Sequence, residues 1–257
     1  FFLRDLVLAF FVRKKLGFSR ARFCLSGAAK LSEETWESLR NYGIVVCEAY
    51  GLTETMCVSA MTPPRKSIRG SAGKIYPEVE VRIASDGEIC LKAPFHFQGY
   101  FKHPEWTNEV LKDGWFHTGD VGSLDQYRNL RITDRKKDIF KSSNGKYVAP
   151  LPIELLLKEH PSIQEAMVIG ENLPHCIAVA AVDRELDEHS ISKHLENVNS
   201  KLSSHEQIKT LGLIRKCWGT ETGELTPSLK VKRKAVLEIY DREIKELYDS
   251  GSRVKLF

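Results

Sequence analysis

The chain has 257 residues, enough for one or two domains with a sizeable core. Hydrophobic residues make up 42% and charged residues 28%, a balance that excludes an intrinsically disordered chain. Lysine and arginine number 38 against 34 aspartates and glutamates, and a net charge of +4 is too small to mark a nucleic-acid surface.

The chain opens on Phe1, inside an apolar helical pattern with no cap, as expected where further sequence lies upstream. A helix is predicted over 3–16. Its apolar run, Leu6 to Val12, is far short of the ~20 residues that span a bilayer. Lys14 and Lys15 follow in place of a small-residue cleavage site, so the run reads as one buried face of a helix. Ala21 to Leu25 reads as a short strand running into Ser26-Gly27-Ala28-Ala29. Ser32 then caps a helix to about Tyr42, with Thr35 where a capping-box Glu would sit. Ile44 to Cys47 suits a buried strand, completing an α/β pattern.

From Arg69 to about Thr133 alternation takes over, as in Val79–Ile83 and Glu88–Lys92, with glycines between: a β-rich subdomain. After it, helices are predicted at 151–159, 190–203 and 234–248, and strands at 163–169, 176–182 and 211–215. That is a small α+β domain, joined through the charged linker Asp134–Lys141. The expected division is 1–136, with the β-rich part at about 69–133, and 137–257. The six cysteines, Cys24, Cys47, Cys57, Cys90, Cys176 and Cys217, form no CxxC pair. They suggest neither a zinc site nor a disulfide framework, and they fit a reducing compartment such as the cytoplasm.

Four stretches could carry chemistry. Glu48-Ala49-Tyr50-Gly51-Leu52-Thr53-Glu54-Thr55 follows a strand, where α/β sheets bind ligands. Thr53 can donate to a phosphate oxygen, Glu54 can hold Mg²⁺, and Tyr50 offers a flat face to a purine. A polar turn with an ordinary N-cap explains the stretch equally well. In DGWFHTGD, 113–120, an aspartate between glycine turns can accept from two vicinal hydroxyls, as in a ribose. Taken alone, a hairpin with an Asx-turn is the simpler reading, and His117 reads as structural. Asp134 to Lys141, followed by Gly145-Lys146-Tyr147-Val148, is basic, but its two aspartates suit a solvated linker. Near the C-terminus, Gly223 to Lys234 forms a turn with Lys230 on the loop behind it. A lysine there can bring one compact positive charge to an anionic transition state, or simply decorate a surface loop.

In this order and spacing the four resemble the adenylate-forming superfamily of acyl-CoA synthetases, luciferases and peptide-synthetase adenylation domains. The resemblance runs from Ser26 to Lys234. It is most specific at DGWFHTGD, ITDRKKDIF and GKYVAP, which look like long-chain fatty acyl-CoA synthetases. It implies an α/β fold: the C-terminal part of a large adenylating domain with a β-rich subdomain, then a small mobile α+β domain. It also implies an AMP-forming fatty acid–CoA ligase that uses ATP, Mg²⁺ and coenzyme A, cytoplasmic, with peripheral membrane association open. Gly27, Ala28, Ala29 and Tyr50 would line the adenine pocket, beside Glu48 and Gly51. Thr53 would contact the α-phosphate and Glu54 the magnesium. Asp120 would bind the ribose, with Arg135 beside it. Lys137 falls at the hinge, Gly145 and Lys146 on the face that meets CoA, and Lys230 at the catalytic lysine. The family's Ser/Thr/Gly-rich phosphate loop is absent and is expected upstream of residue 1, so the fragment alone is expected to be inactive. Ala29-Lys30 replaces a common Ala-Pro, and Leu229 stands where many relatives have Gly. The rival readings are an acyl-AMP ligase that loads a carrier protein and a non-catalytic nucleotide-binding or interaction fragment.

Overall fold

The computed structural model describes residues 2–63, 68–182 and 187–257. It divides into two compact units, Phe1–Lys136 and Lys137–Phe257.

In the first unit, chain order is α1 (Phe2–Lys15), β1 (Cys24–Gly27), α2 (Glu33–Asn41), β2 (Val46–Tyr50), β3 (Ala60–Met61) and β4 (Gly73–Ile75). Then come β5 (Glu80–Ile83), β6 (Glu88–Lys92), α3 (Pro104–Val110), β7 (Leu111–Lys112), β8 (Trp115–Leu124) and β9 (Asn129–Arg135). The Ser32 hydroxyl caps α2 by accepting from Thr35 N at 3.1 Å. Gly43, with φ 71°, ends it. Gly43 N donates to Arg40 O and Ile44 N to Leu39 O, which is a Schellman closure. Ile44 is thereby tied to the helix end, and the strand expected at 44–47 starts two residues later. The strand expected at 21–25 is likewise displaced, because the parallel ladder pairs Cys24 with Val46 and Gly27 with Ala49.

The nine strands form one sheet ordered β1-β2-β3-β4-β9-β8-β6-β5, with β7 on β8. β3 joins the β-rich part to β1 and β2. The core holds Tyr50, Ala60, Ile75, Val79, Ile89, Leu91 and Leu130. The apolar face of α1 departs from expectation. Phe10 is 58% and Phe11 60% exposed, because no described element covers them. The predicted linker also shrinks. Asp134 and Arg135 complete β9, leaving 136–139 between strands.

The second unit contains β10 (Phe140–Lys141), β11 (Tyr147–Val148), α4 (Pro150–Leu157), β12 (Ile163–Ile169) and β13 (Cys176–Val182). α5 (Glu188–Ser200), β14 (Ile208–Ile214), α6 (Arg233–Ile239), α7 (Asp241–Tyr248) and β15 (Val254–Leu256) follow. The sheet β12-β13-β14-β15 is antiparallel at its first pair and parallel at the next two. All of β13 is buried. Ala178 and Ala180 face Ile153, Ile191 and Leu195, while Ile177 and Val179 face Val236 and Leu247. That two-sided cover explains the unbroken apolar run CIAVAAV. The helix expected at 234–248 is two helices. Tyr240 sits between them with φ −109° and ψ 26°, and its hydroxyl points into the core. Among the described residues, no helix is long and apolar enough to cross a membrane. All six cysteines are free thiols.

Candidate functional site

β1 and β2 run parallel, so their carboxyl ends open on one edge of the sheet, where α/β folds receive ligands. From Gly27 the chain turns through Ala28, which takes a left-handed φ of 66°, into Ala29. Glu48 and Tyr50 were expected just past a strand, but the ladders with β1 and β3 keep both inside β2. Glu48 is buried, and Glu48 N donates to Thr62 Oγ1 at 2.6 Å. Burial pushes the Glu48 carboxyl above its usual range. At Gly51 the chain doubles back so tightly that a Cβ would lie 2.1 Å from Cys57 O. Only glycine fits there.

The doubling produces a short 3₁₀ turn over Thr53–Thr55. Thr53 is exposed and Glu54 half-buried. Tyr100 donates its hydroxyl to Glu54 Oε1 at 2.7 Å. Burial and the neighbouring carboxylate push the Tyr100 hydroxyl up to about 12, so it stays a donor at neutral pH. Glu54 thus offers an oriented carboxylate with its Oε2 outside that bond. This is the hard oxygen donor that magnesium takes alongside water and phosphate, so the residues present fit that ion. Sequence reasoning missed Tyr100. Its only sequence signal is Gly99 beside it, at φ 149°.

Asp120 does not sit in a turn as expected. It lies within β8, between Gly119 at φ 70° and a bulge at Val121/Gly122, directly opposite Arg135 of β9. Tyr50 OH donates to Asp120 Oδ2 at 2.7 Å, and Arg135 Nε lies 2.9 Å from Oδ1. Asp120 N donates to Thr118 Oγ1 at 3.1 Å. Burial, then the Asp120 charge, holds the Tyr50 phenol far above its usual range, so it is a fixed donor. The structure therefore brings Tyr50, Asp120 and Arg135 into one cluster. The carboxylate is 8% exposed and anchored at both oxygens. A carboxylate oxygen has two lone pairs, so one that accepts from a protein donor can also accept from a ligand hydroxyl.

His117 Nδ1 lies 3.1 Å from Glu88 Oε2 and 3.5 Å from Cys90 Sγ. Glu88, Cys90 and His117 place three metal-type donors together. A cation already sits against them, because Lys136 Nζ lies 2.6 Å from Asp86 and 2.9 Å from Glu88. Those two carboxylates hold the Lys136 ammonium well above the usual lysine range.

In the second unit Lys137 is exposed in a turn. Gly145, at φ 77°, closes the β10–β11 hairpin, with Ser142 N donating to Lys146 O at 2.9 Å. Lys230 is exposed on a small loop. Leu225 pairs with Val231 at its base, Thr226 N donates to Lys230 O at 2.8 Å, and Lys230 N donates to Thr226 Oγ1 at 3.0 Å. Among the described residues, the Lys230 ammonium has no ion-pair partner.

Before this loop lies a group that sequence reasoning passed over. Glu224 is fully buried and accepts from Lys216 Nζ at 3.0 Å, Tyr240 OH at 2.9 Å and the Thr222 hydroxyl. Although burial opposes it, these donors depress the Glu224 carboxyl to about 2. A depressed carboxylate contributes stability above its unfolded value, and that stability is lost as pH falls through the folded value. The second unit should therefore lose about 3 kcal/mol between roughly pH 4.5 and pH 2 from this group alone. Acid titration of unfolding should show the drop in the natural chain, and Glu224→Gln should flatten it.

Leu229, just before the lysine, is exposed and held at a left-handed φ of 59°. A left-handed conformation costs a non-glycine residue about 1–2 kcal/mol, which glycine avoids at some entropic cost. Leu229→Gly should stabilise the second unit by about 0.5–1 kcal/mol, read as a higher urea midpoint. An unchanged or lower midpoint would mean that the Leu229 side chain makes compensating contacts.

The AMP-binding enzyme family model matches residues 3–101, and the AMP-binding enzyme C-terminal domain model matches residues 137–252. The long-chain-fatty-acid–CoA ligase FadD15 of Mycobacterium bovis is 33% identical, over 93% of this chain and 44% of its own length. Long chain acyl-CoA synthetase 1 of Arabidopsis thaliana is 33% identical, over 92% of this chain and 42% of its own. The chain thus spans less than half the length of these curated relatives. Among solved structures, the Bacillus subtilis O-succinylbenzoate coenzyme A synthetase, in complex with ATP and magnesium ion, superposes with a TM-score of 0.70 at 25% identity. That match covers 83% of this chain and 46% of the other. With both family models matched in order across most of its length, the chain belongs to the AMP-binding, adenylate-forming enzymes.

Proposed function

We propose that the chain is the C-terminal part of a long-chain fatty acid–CoA ligase. The observation that carries this reading is its match, over more than nine-tenths of its length, to proteins named long-chain fatty-acid–CoA ligase or synthetase. In the first half-reaction a fatty carboxylate oxygen attacks the α-phosphorus of ATP, and pyrophosphate leaves. In the second the CoA thiol attacks the acyl carbonyl, and AMP leaves. Gly27, Ala28, Ala29 and Tyr50 flank the adenine, beside Glu48 and Gly51. Asp120, held by Tyr50 and Arg135, accepts from the ribose hydroxyls. Thr53 donates to the α-phosphate. Glu54, oriented by Tyr100, would hold magnesium, which neutralises phosphate charge when bound. Lys230 supplies a positive charge in adenylation. Lys137 is the pivot between half-reactions, and Gly145 and Lys146 meet CoA. The domain division at 136/137 is part of the same proposal.

The test is fatty-acid-dependent pyrophosphate release by the complete protein, followed by thioester formation with CoA. Pyrophosphate release without a CoA thioester would favour loading of a carrier protein. Nucleotide binding without pyrophosphate release would favour a non-catalytic fragment.

The ribose assignment has its own expected result. Asp120→Ala removes a charged acceptor, so ATP affinity should fall by about tenfold. The natural protein should bind 2′,3′-dideoxy-ATP with a similar loss, read by calorimetry. Equal binding of ATP and the dideoxy nucleotide would move the ribose away from Asp120.

A further inference from the structure

Lys230 is exposed on a short loop whose two ends, Leu225 and Val231, join the apolar cluster of Trp218, Val236 and Tyr240. Its base is fixed by Glu224, a carboxylate with no solvent exposure. The side chain gathers Lys216 Nζ, the Tyr240 hydroxyl and the Thr222 hydroxyl, with Gly219 N at 3.4 Å. Its backbone carbonyl accepts from Lys232 N at 2.7 Å. The next residue, Leu225, donates its N–H to Gly219 O at 3.0 Å and pairs with Val231. Glu224 therefore fixes both the entering strand of the loop and, through Lys232, the leaving one. Lys230 lies between these two anchored points.

A buried carboxylate with this many donors is an arrangement that costs more to break than it contributes to stability. Its effect is to hold one geometry. The geometry held here is that of a lysine which makes no ion pair of its own among the described residues. An electrostatic contact to developing charge depends on placement fixed before the reaction.

We propose that Glu224 is the positioning residue for Lys230: it holds the 225–231 loop so that the lysine ammonium meets the charge that develops during adenylation. The proposal rests on the reading of Lys230 as the adenylation lysine. Glu224 touches no substrate and acts only through the loop. The lysine should accordingly lose its advantage whenever the carboxylate loses its donors, even with Lys230 itself intact.

The experiment compares Glu224→Gln, Lys230→Ala and the double variant in the complete protein. Acyl-AMP formation and conversion of supplied acyl-AMP with CoA are timed separately. Amide hydrogen exchange is measured over 225–232. Glu224→Gln should slow acyl-AMP formation by about tenfold or more and leave the CoA step within about twofold. Amides of Thr226, Leu229 and Lys232 should exchange faster, while those of β13 should not change. The double variant should be no slower than Lys230→Ala, because the two residues act as one unit. A merely structural role would slow both half-reactions together and would add to the Lys230→Ala loss, and that result would overturn the proposal. Tyr240→Phe removes one donor to Glu224 and keeps the charge, so it should show the same pattern at smaller size if Glu224→Gln folds poorly. Normal adenylation by Lys230→Ala would overturn the reading of the lysine. Loop amides unchanged in Glu224→Gln would overturn the positioning, whatever Lys230 does.

Discussion

Lys230→Ala in the complete protein should slow acyl-AMP formation by about 100-fold or more and spare the CoA step. The lysine is exposed at the end of an ordered loop, and among the described residues nothing neutralises it. A charge so placed is available to a partner that arrives with the reaction, and the proposed in-line displacement at phosphorus would supply one. A single contact made only to the transition state is worth about 3–4 kcal/mol, which sets the expected loss. Lys230→Arg should recover only part of the rate. The guanidinium is planar and larger, and it does not deliver the same point charge. Rapid-quench timing of acyl-AMP, with supplied acyl-AMP plus CoA as the control, checks both claims. Equal slowing of the two steps would remove Lys230 from adenylation.

What could be read in the sequence follows the range of the forces involved. Ser32 as a cap and the strands Ile163–Ile169 and Cys176–Val182 are local or periodic signals, and they appear where the residues put them. The start of β2 was misplaced because Gly43 and Ile44 serve the end of α2, a preference that only the closing hydrogen bonds reveal. The exposed face of α1 could not be foreseen either, since an apolar stripe says that something covers it and not what. At the candidate site, residue types pointed to Tyr50 and Asp120 separately. Their 2.7 Å hydrogen bond joins positions 70 apart in the chain, through a sheet order that places β9 and β8 beyond β4. Glu224 and Tyr100 carry no local pattern, because a buried polar residue is recognised only by its partners. The positive φ of Leu229 is the mixed case: a departure from glycine visible in the sequence, whose strain is visible only in the backbone.

Arg233→Met should destabilise the second unit by about 3 kcal/mol. Arg233 opens α6 and clamps Glu154 of α4 with two bonds from Nη2, at 2.8 and 2.9 Å. Glu154 Oε1 also accepts from Val168 N of β12 at 2.8 Å, while Arg233 Nη1 reaches Val168 O at 3.4 Å. Three elements distant in sequence thus meet at one ion pair whose side chains are 23% and 10% exposed. Removing the guanidinium takes from the nearly buried Glu154 carboxylate the positive charge that pairs with it at 2.8 Å, and from Asp138 a cation 3.7 Å away. At roughly 3–4 °C per kcal/mol for a unit of this size, the melting temperature should drop by about 10 °C. The paired change Glu154→Leu with Arg233→Met separates charge from shape. Buried ion pairs replaced by apolar groups of similar volume are often neutral, so the double variant should regain much of the loss, less the bond to Val168 N. A single variant that loses under 1 kcal/mol, or a double variant as unstable as the two losses combined, would mean that solvent already screens this pair and that apolar packing alone holds α6 to the sheet.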